Sequence, residues 1–335
     1  MPRHGDDQRT ALQPVTIAAT GGFGNQLFQL AAAMAIADAT GRGIRICCRM
    51  YDRPLVRRAF VAARAAIRAA FADRDGRFRL RAMERRPLVL DVQRLATATD
   101  PADDTRRGFS RRSLKRAFRD ASHAIAGTDI LRTADEALDL VHGRRPLPSG
   151  TTPLIAGYMQ DDRLVAPTIA SLQRQLELPG RSAYLDRWLP TVTNRTVGVH
   201  VRRGDYLKPA FRDTLPVLPA PWFAQAAHLV QERHGDLACL VVTDEPAWAR
   251  AHLRLPGPMT VASLDHPASP LEDLALLRAC AHHVISNSTF GWWGARLSTA
   301  GGMVVAPARW TIGRPTDPHL VPAAWNRLDN PEDGR

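Results

Sequence analysis

The 335 residues are 45% hydrophobic and 23% charged, the proportions of a globular chain long enough for two domains with ordinary cores. The net charge of +12 sits in one block: residues 42–119 hold 22 Lys+Arg against 8 Asp+Glu, a net of +14, which leaves −2 for the rest. No helix-turn-helix, zinc or RNA-binding signature accompanies that block, so no nucleic-acid partner is expected. Four cysteines (Cys47, Cys48, Cys239, Cys280) make neither a disulfide framework nor a CxxC pair.

The amino-terminal "MPRHGDDQRT" is charged and has no apolar run behind it, so a cytoplasmic protein with reduced thiols is expected. "PVTIAAT" (14–20) reads as a strand and "GGFG" (21–24) as a tight turn. "NQLFQLAAAMAIADAT" (25–40) reads as a helix stopped by Gly41, with "GIRICC" (43–48) the next strand. Residues 53–125 are Arg/Ala-rich and read as an extra helical segment. "PLIAGYM" (153–159) returns to strand, followed by a helix from Asp161 to about Leu178. The Pro-bearing "RWLPTVTNR" (187–195) reads as a boundary between domains 1–190 and 191–335.

A second series of strands follows: 196–202, 237–244, 259–263, 282–287 and 303–307. Helices near 220–234, 246–253, 270–281 and 288–299 separate them. This alternation predicts an α/β fold with doubly wound parallel sheets.

Ligands of such sheets sit at the carboxyl ends of strands. "HVRRGDYL" (200–207) brings Arg202 and Arg203 to one such end. Two readings stand: a grip on a diphosphate, or a salt bridge to Asp205 or to a helix terminus. "GGFGNQ" precedes a helix amino terminus. It is either an anion site or a tight turn in which Asn25 caps the helix. In "SNSTFGWWGARLS" (286–298) the hydroxyls of Ser286, Ser288 and Thr289 and the backbone N–H groups can hold phosphate. Trp292 and Trp293 read as one core residue and one domain-interface residue, ahead of a sugar-stacking role for both. Asp244, ending "VVTD", either accepts from guanine or caps the next helix.

Taken together, "GGFGNQLFQLA", "GYMQ", "HVRRGDYL", "VVTDEPAW", "ISNSTFGWWGA" and "VVAPARW" resemble, in order and spacing, the family 11 glycosyltransferases, the bacterial-type α-1,2-fucosyltransferases. The His200–Arg202–Arg203–Asp205 element is also shared with α-1,6- and protein O-fucosyltransferases, so another linkage is the alternative reading. A non-catalytic sugar- or nucleic-acid-binding protein is the alternative outside enzymes.

The resemblance implies two facing Rossmann-like domains of GT-B type, with the donor on the C-terminal one. It implies GDP-β-L-fucose as donor, a galactose-terminated glycan as acceptor, an inverted product, and no cofactor or metal. Its implied donor-binding set is Arg202, Arg203, Asp244, Ser286, Ser288, Thr289, Phe290, Asn25, Gln26, Gly22 and Gly24. Arg202 would contact the diphosphate, Asp244 the guanine, and Asn25 and Gln26 would line the cleft. Leu30 and Gly291 depart from residues common in the family, Tyr and Ser, which bears on acceptor fit.

Fucosyl transfer builds negative charge on departing GDP, so a fixed cation there lowers the barrier. Asp205, His200 and Asp162 are all candidate bases, and the sequence does not choose between them. Alternation along an extended segment sets Arg202 and Arg203 on opposite sides, and the resemblance places the donor beside the first arginine, which implies that Arg202 does the transition-state work and Arg203 braces the loop through a carboxylate such as Asp205. Asp73–Asp75 and His282–His283 have the wrong setting for a metal site. Val56, Phe60, Ala63, Ile67 and Phe71 form one helical stripe beside Arg57, Arg64 and Arg68. That pattern fits either a helix lying on an anionic membrane surface or an ordinary packed helix.

Overall fold

In the computed structural model the described residues are 12–46, 127–176, 182–262 and 269–331. The Arg/Ala-rich block with its apolar stripe, Asp73–Asp75 and the Cys47–Cys48 pair lie outside them. The described residues fall into two compact units: 12–20, 28–46 and 127–168 form one, and 21–27 with 169–331 form the other.

The first unit carries a four-stranded, all-parallel sheet of order β2-β1-β4-β3. Its strands are β1 (Val15–Ile17), β2 (Ile44–Ile46), β3 (Thr128–Leu131) and β4 (Thr152–Ile155). Helix α1 (Phe23–Thr40) connects β1 to β2. Its run of alanines suits both helix propensity and close packing, and Ala31, Ala32 and Ala33 are fully buried. Gly41, at φ 66°, ends it. Leu30 is fully buried in α1, so it serves the core and not an acceptor surface. Helix α2 (Ala134–Val141) opens with a Thr133–Glu136 capping box.

Gln29 ties together the loops that leave β1 and β4. Its Oε1 accepts from the Thr20 N–H at 3.0 Å, and its Nε2 donates to Thr20 Oγ1 (3.0 Å) and to the Gly157 carbonyl (2.9 Å). Strand β4 is shorter than the pattern 153–159 predicts. A side chain at Gly157 would lie 1.9 Å from the Arg132 carbonyl oxygen, and Met159 takes φ 55°, so the chain turns where the pattern predicts a strand. The predicted helix from Asp161 is likewise interrupted. Helix α3 (Asp162–Val165) gives way to a 3₁₀ turn, Ala166–Thr168, and then to α4 (Ile169–Gln175). Pro167 removes a helix donor at that break.

The second unit carries six parallel strands in the order β10-β9-β8-β5-β6-β7. After α5 (Ala183–Trp188) the chain runs β5 (Thr196–Val201), α6 (Ala220–His234), β6 (Ala238–Thr243), α7 (Pro246–His252) and β7 (Met259–Ala262). It then returns through α8 (Pro270–Ala279) to β8 (His282–Ile285), α9 (Thr289–Arg296), β9 (Val304–Pro307) and β10 (Asn326–Leu328). Strand β10 has no apolar alternation, and its sequence does not predict it.

All six residues of β5 are buried, as a central strand covered on both faces requires. The chain first builds outward from β5 through β6 and β7, then restarts on its other side with β8. The carboxyl ends of β5 and β8 therefore flank the topological switch point, where an open α/β sheet leaves a crevice.

Candidate active site

Strand β5 leaves the core at Val201 and delivers Arg202 and Arg203 to this switch point. Asp244, at the end of β6, grips the departing loop. Its Oδ1 accepts from the Arg203 N–H and its Oδ2 from the Gly204 N–H, each at 3.0 Å. Residue 204 is glycine because a β-carbon there would stand 2.9 Å from Asp244 Oδ2. The Arg202 guanidinium is clamped between two carboxylates: Nη2 pairs with Asp205, and Nη1 lies 3.2 Å from Asp244. Lys208 Nζ holds the other Asp205 oxygen at 2.8 Å. Asp205 thus orients Arg202, and the sequence-based pairing of Arg203 with Asp205 is corrected.

Arg203 instead lies flat over Trp248 of α7, 3.7 Å from the ring centroid. Its Nε is buried without a hydrogen-bond partner among the described residues. Burial lowers the Arg203 pKa, with Glu245 and Asp244 opposing the shift. The expectation that adjacent arginines diverge holds, but an aromatic face takes the place of the expected carboxylate. Such a stack is worth about 0.5–2 kcal/mol.

On the β8 side, the Ser286 N–H donates to the His200 carbonyl at 3.0 Å, carrying the β5–β8 pairing one step beyond the strands. Ser286 is fully buried. Its Oγ accepts from the Arg202 N–H at 3.2 Å and lies 3.2 Å from His200 Nδ1. Its hydroxyl therefore faces the two strands rather than a phosphate, contrary to expectation. Asn287 Nδ2 donates to the Trp310 carbonyl (3.1 Å), and the Asn287 carbonyl accepts from the Tyr206 hydroxyl (2.8 Å). Ser288 caps α9, accepting from the Phe290 N–H at 3.3 Å.

Gly22, Gly24, Asn25 and Gln26 belong to this same unit. A β-carbon on Gly24 would meet Thr289 Oγ1 and the Thr289 carbonyl carbon at 2.6 Å, so glycine lets the two segments touch. Trp293 Nε1 donates to the Gly24 carbonyl (2.8 Å), and Trp292 Nε1 donates to the Leu320 carbonyl (2.7 Å). Both indoles are fully buried, so neither can stack on a sugar. Helix α1 begins at Phe23, two residues earlier than predicted. Asn25 is consequently inside the first turn, its N–H donating to the Gly22 carbonyl at 2.9 Å, and is not the cap. Gln26 is fully buried, and its Nε2 donates to the Gly21 carbonyl at 3.2 Å. That bond serves the turn.

The Phe290 ring packs 5.5 Å from the His200 imidazole and 6.4 Å from Phe23, centroid to centroid. Burial pushes the His200 pKa down to about 3, with Asp244 opposing and Arg202 reinforcing the shift. The imidazole is therefore neutral, and a weak proton acceptor. Gly291 faces this ring: a β-carbon there would lie 2.6 Å from Nδ1. Its departure from the family's serine thus concerns room for His200, not acceptor fit.

Asp162 belongs to the other unit. His283 Nε2 lies 2.8 Å from the Leu277 carbonyl, and His282 Nδ1 accepts from the Met303 N–H at 3.0 Å; both bonds serve the fold. Among the described residues no group of three or more His, Cys, Asp and Glu is placed to hold a metal ion. No described helix is long and apolar enough to cross a membrane. Sequence reasoning missed Trp248 and Tyr206, both of which lie inside the motifs it quoted.

Residues 185–316 match the family described as Glycosyl transferase family 11. The O-antigen biosynthesis glycosyltransferase WbnK of Escherichia coli is 31% identical over 121 residues, covering 35% of this chain and 40% of the relative. The human galactoside alpha-(1,2)-fucosyltransferase 1 is 34% identical over 126 residues, covering 35% of this chain and 32% of the relative. The chain therefore spans less than half the length of these curated relatives. Among solved structures, the fucosyltransferase NodZ from Bradyrhizobium aligns over 84% of this chain and 92% of its own, at 16% identity and a TM-score of 0.40. The matched residues hold the paired arginines, the switch point and the α9 cap.

Proposed function

We propose that this protein is an inverting fucosyltransferase that moves L-fucose from GDP-β-L-fucose to the 2-hydroxyl of a terminal galactose. The observation that carries the reading is the clamped Arg202 at the switch point of a family 11 segment. The names of the relatives support the linkage, the galactoside acceptor and a role in cell-surface glycan synthesis. The GT-B arrangement of facing domains, 1–190 on the acceptor side and 191–335 on the donor side, is proposed with it.

The physical case rests on preorganisation. The two carboxylates fix the Arg202 fork before any ligand arrives, and a guanidinium has five N–H donors, so donors remain for phosphate oxygens. As the sugar–phosphate bond breaks, charge grows on the β-phosphate, and a cation already in place stabilises that charge without reorganising. The Ser288-capped end of α9 adds N–H groups of the same polarity. Asp205 is engaged by Arg202 and Lys208, and His200 is neutral and weakly basic. In this reading, leaving-group stabilisation dominates over general-base catalysis, and no metal takes part.

The test is a GDP-sugar screen against terminal-galactose acceptors, with GDP release followed and the product linkage read by NMR. GDP release dependent on both GDP-fucose and a galactoside, unchanged in excess EDTA and yielding an α-1,2 product, is the expected result. Activity lost in EDTA and restored by Mg²⁺ or Mn²⁺ would remove the metal-free mechanism. A product of another linkage would remove the acceptor assignment.

A further inference from the structure

At the switch point one hydroxyl joins the two arms of the crevice. Ser286 Oγ stands between the Arg202 backbone N–H, which donates to it at 3.2 Å, and His200 Nδ1, also at 3.2 Å. Ser286 is 0% exposed and His200 4%, so both partners are buried. A serine hydroxyl has one proton to give and lone pairs to receive. The Arg202 N–H occupies a lone pair, which leaves the hydroxyl proton seeking an acceptor.

Among the described residues, the acceptor within reach is His200 Nδ1. If Nδ1 itself carried the proton, the serine proton would be buried without a partner among the described residues, an unfavourable arrangement. The arrangement that satisfies both the Arg202 N–H and the Ser286 hydroxyl is Arg202 N–H to Ser286 Oγ, and Ser286 Oγ–H to His200 Nδ1. The ring is then neutral and carries its proton on Nε2. The Phe290 ring, 5.5 Å away centroid to centroid, and the close-lying Gly291 backbone pack against this imidazole.

We propose that Ser286 is a positioning residue. Its hydroxyl fixes His200 as the Nε2–H tautomer and anchors the Arg202 amide, so setting the path on which Arg202 leaves β5. The tautomer part stands on geometry alone; the kinetic part rests on the fucosyl-transfer reading above. Arg202 has Asp205 and Asp244 to orient its fork, but those contacts place the fork correctly only if the backbone that carries it is fixed. Ser286 supplies that fixing from β8, across the switch point.

The experiment is long-range ¹H–¹⁵N correlation NMR on the ¹⁵N-histidine-labelled full chain near neutral pH, with Ser286→Ala and Ser286→Thr beside the unsubstituted protein. The unsubstituted protein is expected to show His200 as a single Nε2–H tautomer. Ser286→Ala should shift the Nδ1 resonance or mix tautomers, and Ser286→Thr, which keeps the hydroxyl, should restore the signature. In GDP-release assays, Ser286→Ala should lose about tenfold or more in kcat with a smaller change in donor KM, as expected when a catalytic group is slightly misplaced. An Nδ1–H tautomer in the unsubstituted protein overturns the proposal without any variant. A Ser286→Ala protein with unchanged kcat overturns the positioning role. The Nε2–H tautomer in a protein that transfers no sugar upholds the relay and overturns the proposed reaction instead.

Discussion

Gly291 has no side chain because His200 occupies its place: a β-carbon on Gly291 would stand 2.6 Å from His200 Nδ1 and 2.8 Å from Cγ. The neighbour is a buried ring, not the free end of a flexible chain, so it cannot yield cheaply. Gly291→Ser is therefore expected to destabilise the protein by about 1–3 kcal/mol, the usual cost of overpacking. Gly291→Ser combined with His200→Ala should recover part of that loss. Urea denaturation of the two variants and the unsubstituted protein measures it. Equal midpoints for Gly291→Ser and the unsubstituted protein would contradict the packing argument.

Arg202 and Arg203 are neighbours with different partners, so lysine should affect them differently. Arg202→Lys keeps the charge but loses the planar fork that meets Asp205 and Asp244. Loss of a preorganised donor to a developing anion costs about 10²–10³ in rate, and kcat for GDP release should fall by about that much with the fold retained. Arg203→Lys removes a flat stack on Trp248. It should keep more activity and lose about 0.5–2 kcal/mol of stability. If the two variants exchange these behaviours in parallel kcat and melting measurements, the division of labour is wrong.

Much of this site is legible in the sequence because strand ends are legible. The apolar runs mark β5, β6 and β8, and the residues just past them are Arg202, Asp244 and Ser286. Their partners are less accessible. Alternation puts two side chains on opposite sides of a strand but does not say what each side holds, so it pairs Arg203 with Asp205 wrongly. Trp248 lies forty-five residues away on α7, and no local pattern connects it to Arg203. Ser286 and Gln26 look like ligand residues by composition, yet both are fully buried. A polar side chain in a motif satisfies backbone groups as readily as it faces a substrate. Strand β10 is invisible in the sequence because its pairing with β9, rather than its own residues, makes it a strand.

Asp244 is expected to matter for the loop before it matters for any ligand. Its carboxylate accepts from two backbone N–H groups and lies against Arg202. Asp244→Asn replaces one accepting oxygen with an amide that repels either the Gly204 N–H or the Arg203 N–H. A loss of about 1–3 kcal/mol is expected, together with a fall in kcat as Arg202 loses one side of its clamp. Hydrogen exchange should show faster exchange at Arg203 and Gly204. Unchanged exchange at both amides would show that Asp244 does not hold the loop.

Two buried histidines should make the protein acid-labile well above the carboxylate range. Burial pushes His200 down to about 3 and His283 down to about 4, the Leu277 carbonyl opposing the latter shift. In the unfolded chain both protonate from about pH 6.5. Between pH 6.5 and 4 the unfolded state therefore binds more protons than the folded state, and stability falls as pH falls. At pH 5 the loss is about 2 kcal/mol for each residue relative to neutral pH. Asp273 acts in the opposite sense. Its carboxyl is raised to about 6, chiefly by burial, and contributes stability that grows as pH falls through 6. With two histidines against one carboxyl, net destabilisation is expected on going from pH 7.5 to pH 5. His283→Gln can still donate to the Leu277 carbonyl that His283 Nε2 meets at 2.8 Å, but cannot titrate. Urea midpoints of the unsubstituted protein and His283→Gln should differ more at pH 7.5 than at pH 5. A gap that stays the same at both pH values would mean that His283 does not drive the acid lability.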